Sequence, residues 1–309
     1  MGHHVLVQRD VGSSNRPLPP RSVGIWTGRL QRRTTTEAIE TVNELDELGY
    51  SAVWVPESPF GKNVLTFSAV LLGASANITV ATGIAIVWAR DPVAMMNAGR
   101  TIGDAHPGRF VLGIGISHES TALARGHDYR RPVASMRAYL ADMRDAPFDG
   151  HGPSWTPPVL IAALGPRMLD VAAESADGAH PFLTTPQHTR LARETLGPDR
   201  LLAVEQAVVL GDATAGRRIA RENLARFLAW PNYQQHLRRL GFSEEDFSDG
   251  GRDRLVDAVY AIGDEDVVRR RVLEHFDAGA DHVCIQVVGD VDEAISTAYR
   301  ELAPVLSAL

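Results

Sequence analysis

The sequence predicts an α/β protein folded as a closed (β/α)8 TIM barrel, and three observations carry that prediction. Strand-like and helix-like segments alternate from Arg21 to the end of the chain. The strand-like segments are apolar on both faces, the pattern of a parallel sheet covered by helices. Eight such units fit within 309 residues, because barrels of this kind run to about 250 residues plus insertions. The competing open, doubly wound sheet carries a glycine fingerprint after its first strand. Here Gly28-Arg29-Leu30 stands in that place.

The units follow in order. Val23–Thr27 reads as the first strand. Thr36–Leu48 reads as a helix capped by Thr36, with Ile39, Val42 and Leu45 at helical spacing and Gly49 as its stop. Ala52–Pro56 is the second strand. The run from Asn63 to Ala89 carries no charge and is long enough to span a bilayer. Its first half is rich in Leu and Ala and its second half is β-branched, so it reads as a buried helix and then a buried third strand. Asp91-Pro92 opens the next helix, and Phe110–Ile116 is the fourth strand. A helix over Met136–Met143 and a loop from Pro147 to Pro158 precede the fifth strand, Val159–Ala163. Ala179–Leu183 is a short sixth strand, Leu201–Leu210 the seventh and Val283–Val288 the eighth, before a final helix from Val291. Residues 230–260, with Trp230, Tyr233, Phe242, Phe247 and the Gly250-Gly251 pair, form a helical insertion before the last strand and are expected to cover the barrel mouth. Residues 1–20 read as a disordered leader without a signal peptide, residues 21–309 as one domain, and the expected location is cytoplasmic.

Composition narrows the chemistry. Net charge is −7, which argues against a nucleic-acid partner. Cys284 is the only cysteine, so no internal disulfide and no cysteine-rich zinc site can form. No His/Cys/Asp/Glu spacing matches a metal motif, and no metal is expected. Lys62 is the only lysine; in Gly61-Lys62-Asn63 it supplies neither a Walker loop nor a desolvated amine for Schiff-base chemistry.

Chemistry in such barrels sits at the carboxyl ends of the strands. That rule selects Trp26 and Thr27, Pro56 to Ser58, Val87, Trp88 and Arg90, Ser117 to Glu119, the Leu164-Gly165-Pro166 turn, His180, and Gln286 and Gly289. Gly113-Ile-Gly115-Ile-Ser117 fails as a dinucleotide fingerprint and as a nucleophile elbow, while its bare backbone suits a planar ring. His118 reads as an acid/base group, since an imidazole titrates near neutrality. Glu57, at the mouth end of a buried strand, is the second acid/base candidate. The turn at Gly165 opens a helix whose free N–H groups, with Arg167, can hold a phosphate. Trp26, Trp88 and His180 are expected to line a substrate pocket.

Five stretches in order, ELGYSAVWVPE (47–57), VATGIAIVWARDPVAM (80–95), PGRFVLGIGISH (107–118), IAALGPRMLDVAAESADGAH (161–180) and AGADHVCIQV (278–287), carry a resemblance. The chain resembles the luciferase-like monooxygenase superfamily, in particular its deazaflavin-dependent oxidoreductases that use coenzyme F-420. The resemblance runs from Ser22 to Leu306. It implies a bacterial luciferase-like barrel and a third-strand bulge with a non-proline cis peptide at Gly83–Ile84, backing the cofactor ring. It also implies cofactor phosphate or tail contacts at Ser117 and the Gly165 turn. Glu57 and His118 match reactive positions of the family. Hydride transfer between coenzyme F-420 and a small or medium organic substrate is the implied reaction, and a homodimer the implied assembly. The substrate-phosphate lysines of the sugar-phosphate oxidisers are missing, which argues against glucose 6-phosphate. The alternatives are an FMN-dependent monooxygenase and a non-catalytic flavin- or deazaflavin-binding protein.

Overall fold

A computed structural model describes residues 17–307 and 309. Its first half comprises β1 (Ser22–Trp26), α1 (Thr35–Glu47), β2 (Ala52–Val55), α2 (Val64–Ala74), β3 (Thr79–Thr82), β4 (Ala85–Ile86), α3 (Pro92–Ala105), β5 (Phe110–Gly115), α4 (Glu119–Ala124) and α5 (Pro132–Arg144). Then come β6 (Val159–Ile161), α6 (Pro166–Ser175), β7 (Gly178–Ala179), α7 (Pro186–Leu196), β8 (Leu201–Leu210) and α8 (Ala213–Leu228). The chain ends with α9 (Pro231–Arg239), α10 (Asp253–Val259), β9 (Tyr260–Gly263), α11 (Glu265–Asp277), β10 (His282–Val287) and α12 (Asp292–Leu306).

Eight strands close the barrel in the order β1, β2, β3, β5, β6, β7, β8 and β10, all parallel, and β10 pairs with both β8 and β1. β4 continues β3 beyond the Gly83–Ile84 bulge and pairs with β5, Ala85 opposite Ile114. The Gly83–Ile84 peptide bond is cis. The uncharged run divides as its composition dictates. Asn63 caps α2 by accepting from Thr66 N, and β3 follows fully buried. No helix among the described residues is long and apolar enough to cross a membrane.

Several boundaries differ from the sequence reading, each for a physical reason. Thr34, not Thr36, caps α1: its hydroxyl accepts from Glu37 N while Glu37 accepts from Thr34 N, so Glu37 selects which of three consecutive threonines is the cap. The sixth barrel strand is only Gly178–Ala179. The insertion ends in a ninth segment of sheet, β9, which pairs with the upper half of β8 outside the barrel circuit. Gly250 and Gly251 have φ of +79° and +117°. A Cβ at Gly251 would lie 2.7 Å from Leu224 Cδ2, so this pair is a turn packed on α8 rather than a hinge.

The last residues of the expected leader are ordered against the barrel. Residues 1–16 lie outside the described residues, but Leu18 is buried at 2% exposure. It packs with Ala52, Trp54, Ala81, Val111, Leu160, Ala203 and Cys284 in the barrel lumen, and the Thr79 hydroxyl donates to Pro17 O at 2.6 Å. Burying a leucine is worth about 2 kcal/mol, enough to fix a short segment against an otherwise open apolar end. Higher in the lumen, Trp54 stacks on His180 with centroids 4.2 Å apart and donates from Nε1 to His282 Nε2 at 3.0 Å. Gly24 makes room for this group, since a Cβ there would lie 2.8 Å from His282 Nε2.

Candidate active site

At the carboxyl ends of β1, β2 and β10 a cleft of about 1030 Å³ opens toward α8. Trp26 and Glu57 line it. Trp26 leaves the end of β1 and donates from Nε1 to Gly83 O at 3.0 Å, which ties the cleft wall to the bulge. Its ring also packs on Phe182, centroids 5.0 Å apart.

Glu57 is held differently from the acid/base group the sequence suggested. Arg90 donates to both carboxylate oxygens and Ile86 N donates to Oε2 at 2.7 Å. The side chains of Glu57 and Arg90 are only 4% and 10% exposed. With its lone pairs committed, Glu57 positions the bulge: its own N–H donates to Ile84 O, and its carboxylate takes the Ile86 N–H two residues on. Held in this way, Glu57 is a positioning group and not the acid/base candidate of the sequence reading.

His118 stands at the start of α4, half-buried, beneath the insertion. Its ring stacks on Trp230 with centroids 3.8 Å apart and planes 23° apart, and Tyr233 lies 6.0 Å away. Burial pushes the imidazole pKa below its usual value, so the ring is neutral at pH 7. A row of rings, Trp26, Phe182, Phe227, Trp230 and His118, each in contact with the next, runs from the end of β1 to the end of β5. Trp230 and Tyr233 of the insertion thus reach the end of β5 at His118.

Three other expected residues sit elsewhere. His180 is in the lumen at 2% exposure, its Nδ1 on Ala203 O at 2.9 Å, because a two-residue strand ends well below the rim. It does not line the cleft. Trp88 donates from Nε1 to Ile116 O at 2.7 Å and packs near His127 and Tyr129. It therefore braces the loop after β5 and lies outside the cleft. Ser117 takes φ +55° in that loop, and Tyr129 OH donates to its carbonyl at 2.9 Å. The bare Gly113-Ile-Gly115 backbone also has a local cause. A Cβ at Gly113 would lie 2.0 Å from Thr82 O and one at Gly115 2.5 Å from Ile84 Cδ1. The glycines admit the bulge and the half-buried Ile84 side chain packed against them.

The Gly165 turn keeps the features a phosphate needs. Gly165 is the N-cap of α6 with no side-chain cap, and Pro166 and Arg167 are exposed in the first turn. A Cβ on Gly165 would lie 3.4 Å from Arg239 Nη1 of α9, so a second guanidinium stands over the helix start. Beneath it, Leu164 O accepts from His188 Nε2 at 3.1 Å, and His188 meets His236 edge-on at 4.6 Å. An uncapped helix start flanked by two arginines, on the same rim as the Ile84 bulge, fits a flat ring that carries a phosphate-bearing tail.

Arg90 stood among the strand-end residues without an assigned role, and Arg239 and Glu205 were not singled out. Glu205 is fully buried on β8, with Oε2 accepting from Leu183 N at 2.8 Å and Oε1 without a partner among the described residues. Burial raises its pKa to about 8, so the group is largely protonated at neutral pH. A lone acid inside the apolar run LLAVEQAVVL was the available signal.

A closed parallel barrel with a bulged third strand and a helical cover before its last strand defines one class of (β/α)8 protein. The chain belongs to the luciferase-like monooxygenase family, whose model matches residues 21–282. It is 25% identical over 167 residues to the 5,10-methylenetetrahydromethanopterin reductase of Archaeoglobus fulgidus, a match covering 49% of this chain and half the length of that relative. The coenzyme F-420-dependent tetrahydromethanopterin reductase of Methanopyrus kandleri shares the fold with a TM-score of 0.74 at 17% identity, over 92% of this chain and 99% of that one. The oxygenating constituent of 3,6-diketocamphane monooxygenase from Pseudomonas putida, in complex with FMN, shares it with a TM-score of 0.67 at 15% identity, over 94% and 98%. These relatives are oxidoreductases.

Proposed function

We propose that this protein is a deazaflavin-dependent oxidoreductase that transfers hydride between coenzyme F-420 and a small or medium organic substrate. One observation carries the reading: the Ile84 bulge and the uncapped α6 start, with Arg167 and Arg239 beside it, share one barrel rim. The reductase relative supports deazaflavin over FMN.

When bound, a deazaflavin supplies a ring carbon that gives or takes hydride and reacts poorly with oxygen. The chain's own residues supply the rest. The N–H groups of Gly165 and Arg167, with the guanidiniums of Arg167 and Arg239, bind the cofactor phosphate, and Ile84 backs the ring. Glu57 and Arg90 fix the bulge that presents Ile84. Trp230, Phe227 and Tyr233 exclude water, which strengthens every charge interaction beneath them. His118, neutral and half-buried, moves the proton that accompanies hydride transfer. The cleft beside Trp26 receives the substrate.

A second reading, an FMN-dependent monooxygenase, has the FMN-bound neighbour in its favour. Mixing the protein with reduced cofactor in an oxygen electrode separates the two. Deazaflavin-linked reduction of carbonyl substrates without oxygen uptake is expected; substrate-dependent oxygen uptake with reduced FMN would overturn the proposal.

A further inference from the structure

We infer that the substrate is an organic anion, bound by Arg32 and Arg226 in the cleft beside Trp26; the inference rests on the hydride-transfer reading and names its substrate class. The charges of the cleft wall are the starting point. Four arginines line it: Arg29, Arg32, Arg33 and Arg226. Arg29 and Arg33 are both paired with Asp292, whose single carboxylate offsets one of their two charges. The lining acids are mostly engaged too: Glu57 by Arg90, Glu222 by Arg218 and Asp292 by the two arginines, which leaves Asp290. Neither the Arg32 nor the Arg226 side chain makes a hydrogen bond or ion pair with a described residue. Two uncommitted guanidiniums against one uncommitted carboxylate make this concavity locally positive on a chain whose net charge is −7. Such a cleft concentrates anions.

The neutral groups in the same wall are donors with settled orientation. Tyr260 OH donates to Asn223 Oδ1 at 2.8 Å, which turns the Asn223 amide N–H2 away from Tyr260. Ile219, Glu222, Asn223 and Arg226 lie at three- and four-residue spacing, so one face of α8 carries both Asn223 and Arg226 into the cleft. Gln286, half-buried at the end of β10, adds a second amide. Guanidinium and amide donors from α8, the β1–α1 loop and β10 suit a carboxylate or phosphate ester. Trp26, bonded to Gly83 O, joins this wall to the bulge.

Calorimetry on the full-length protein at low ionic strength tests the inference, with succinate and inorganic phosphate as probes and 1,4-butanediol as the neutral control. The variants are Arg32→Gln/Arg226→Gln and, as a second construction, Arg226→Glu; both change exposed side chains, and an unchanged Tm confirms folding. Saturable binding of at least one anion by wild type, at least tenfold weaker in both variants, with no response to the diol, is expected. No saturable anion binding by wild type, or equal binding by the variants, would overturn it. Deazaflavin is titrated into the same samples. Unchanged cofactor affinity in the variants supports the inference, and a parallel fall overturns it, because the arginines would then serve the cofactor. Anion binding by a protein that takes no deazaflavin would support the anion site and contradict the hydride-transfer reading alone.

Discussion

At the scale of residues, the site divides into groups that hold and groups that react. Glu57 was legible as a mouth residue because it follows an apolar strand. Its partner Arg90 lies 33 positions on, and only the barrel brings the two together. Breaking a buried pair strands a charge and costs about 3–5 kcal/mol. Arg90→Ala should therefore destabilise the fold by that amount in urea unfolding, and Glu57→Gln/Arg90→Gln by clearly less. Equal losses would contradict the pairing account. In the proposed function His118 is the reacting group. His118→Asn should lower turnover by about 10²–10⁴-fold and abolish a limb in the kcat/KM–pH profile lying below pH 6.5, where burial places that imidazole. A limb unchanged in the variant would assign it to another group. His180 shows where the strand-end rule fails: it predicts the rim only for strands that reach the rim, and β7 does not.

At the scale of elements, propensity and periodicity placed seven of the eight barrel strands and the main helices, because each is apolar where it faces the sheet; the two-residue sixth strand is too short to show a pattern. They could not place β9, whose pairing with β8 depends on where the insertion returns. They gave no register either, so the contact between Trp230 and His118 was out of reach. That contact makes a prediction about the insertion as a cover. Trp230→Ala should expose the His118 ring and raise its pKa toward the ordinary value near 6.5, read by NMR titration of the ring. An unchanged titration would show that the insertion does not shield the mouth. The α6 start gives a second test of an element. Arg167→Gln and Arg239→Gln should each weaken deazaflavin binding about tenfold, the scale of a charge-assisted hydrogen bond, without lowering Tm.

At the scale of the whole molecule, buried titratable groups set the pH range of stability. His180, His188, His236, His275 and His282 are all at most 3% exposed. Burial lowers their pKa values to about 4, 4, 3, 3 and 3. The unfolded chain titrates near 6.5, so the stability from keeping these rings neutral is present above pH 6.5 and lost as pH falls below it. Five such groups give a slope of roughly 7 kcal/mol per pH unit once the unfolded state is protonated. A domain of roughly 10 kcal/mol stability should then unfold near pH 5, above the carboxylate range, with several protons taken up. Glu205 works the other way: raised to about 8 in the fold, it contributes stability below about pH 4.5 that is lost as pH rises through 8. Glu205→Gln should flatten that alkaline decline. Circular dichroism across pH 4–9 checks both, and a midpoint below pH 4 would contradict the neutral-histidine account.

In the proposed function the rim defined by Ile84 and the α6 start holds a deazaflavin. Equilibrium titration of the full-length protein with coenzyme F-420 and with FMN under identical conditions tests it most directly. Tighter binding of coenzyme F-420, weakened by Arg167→Gln, is the predicted result. Tight FMN binding with coenzyme F-420 excluded would contradict the account.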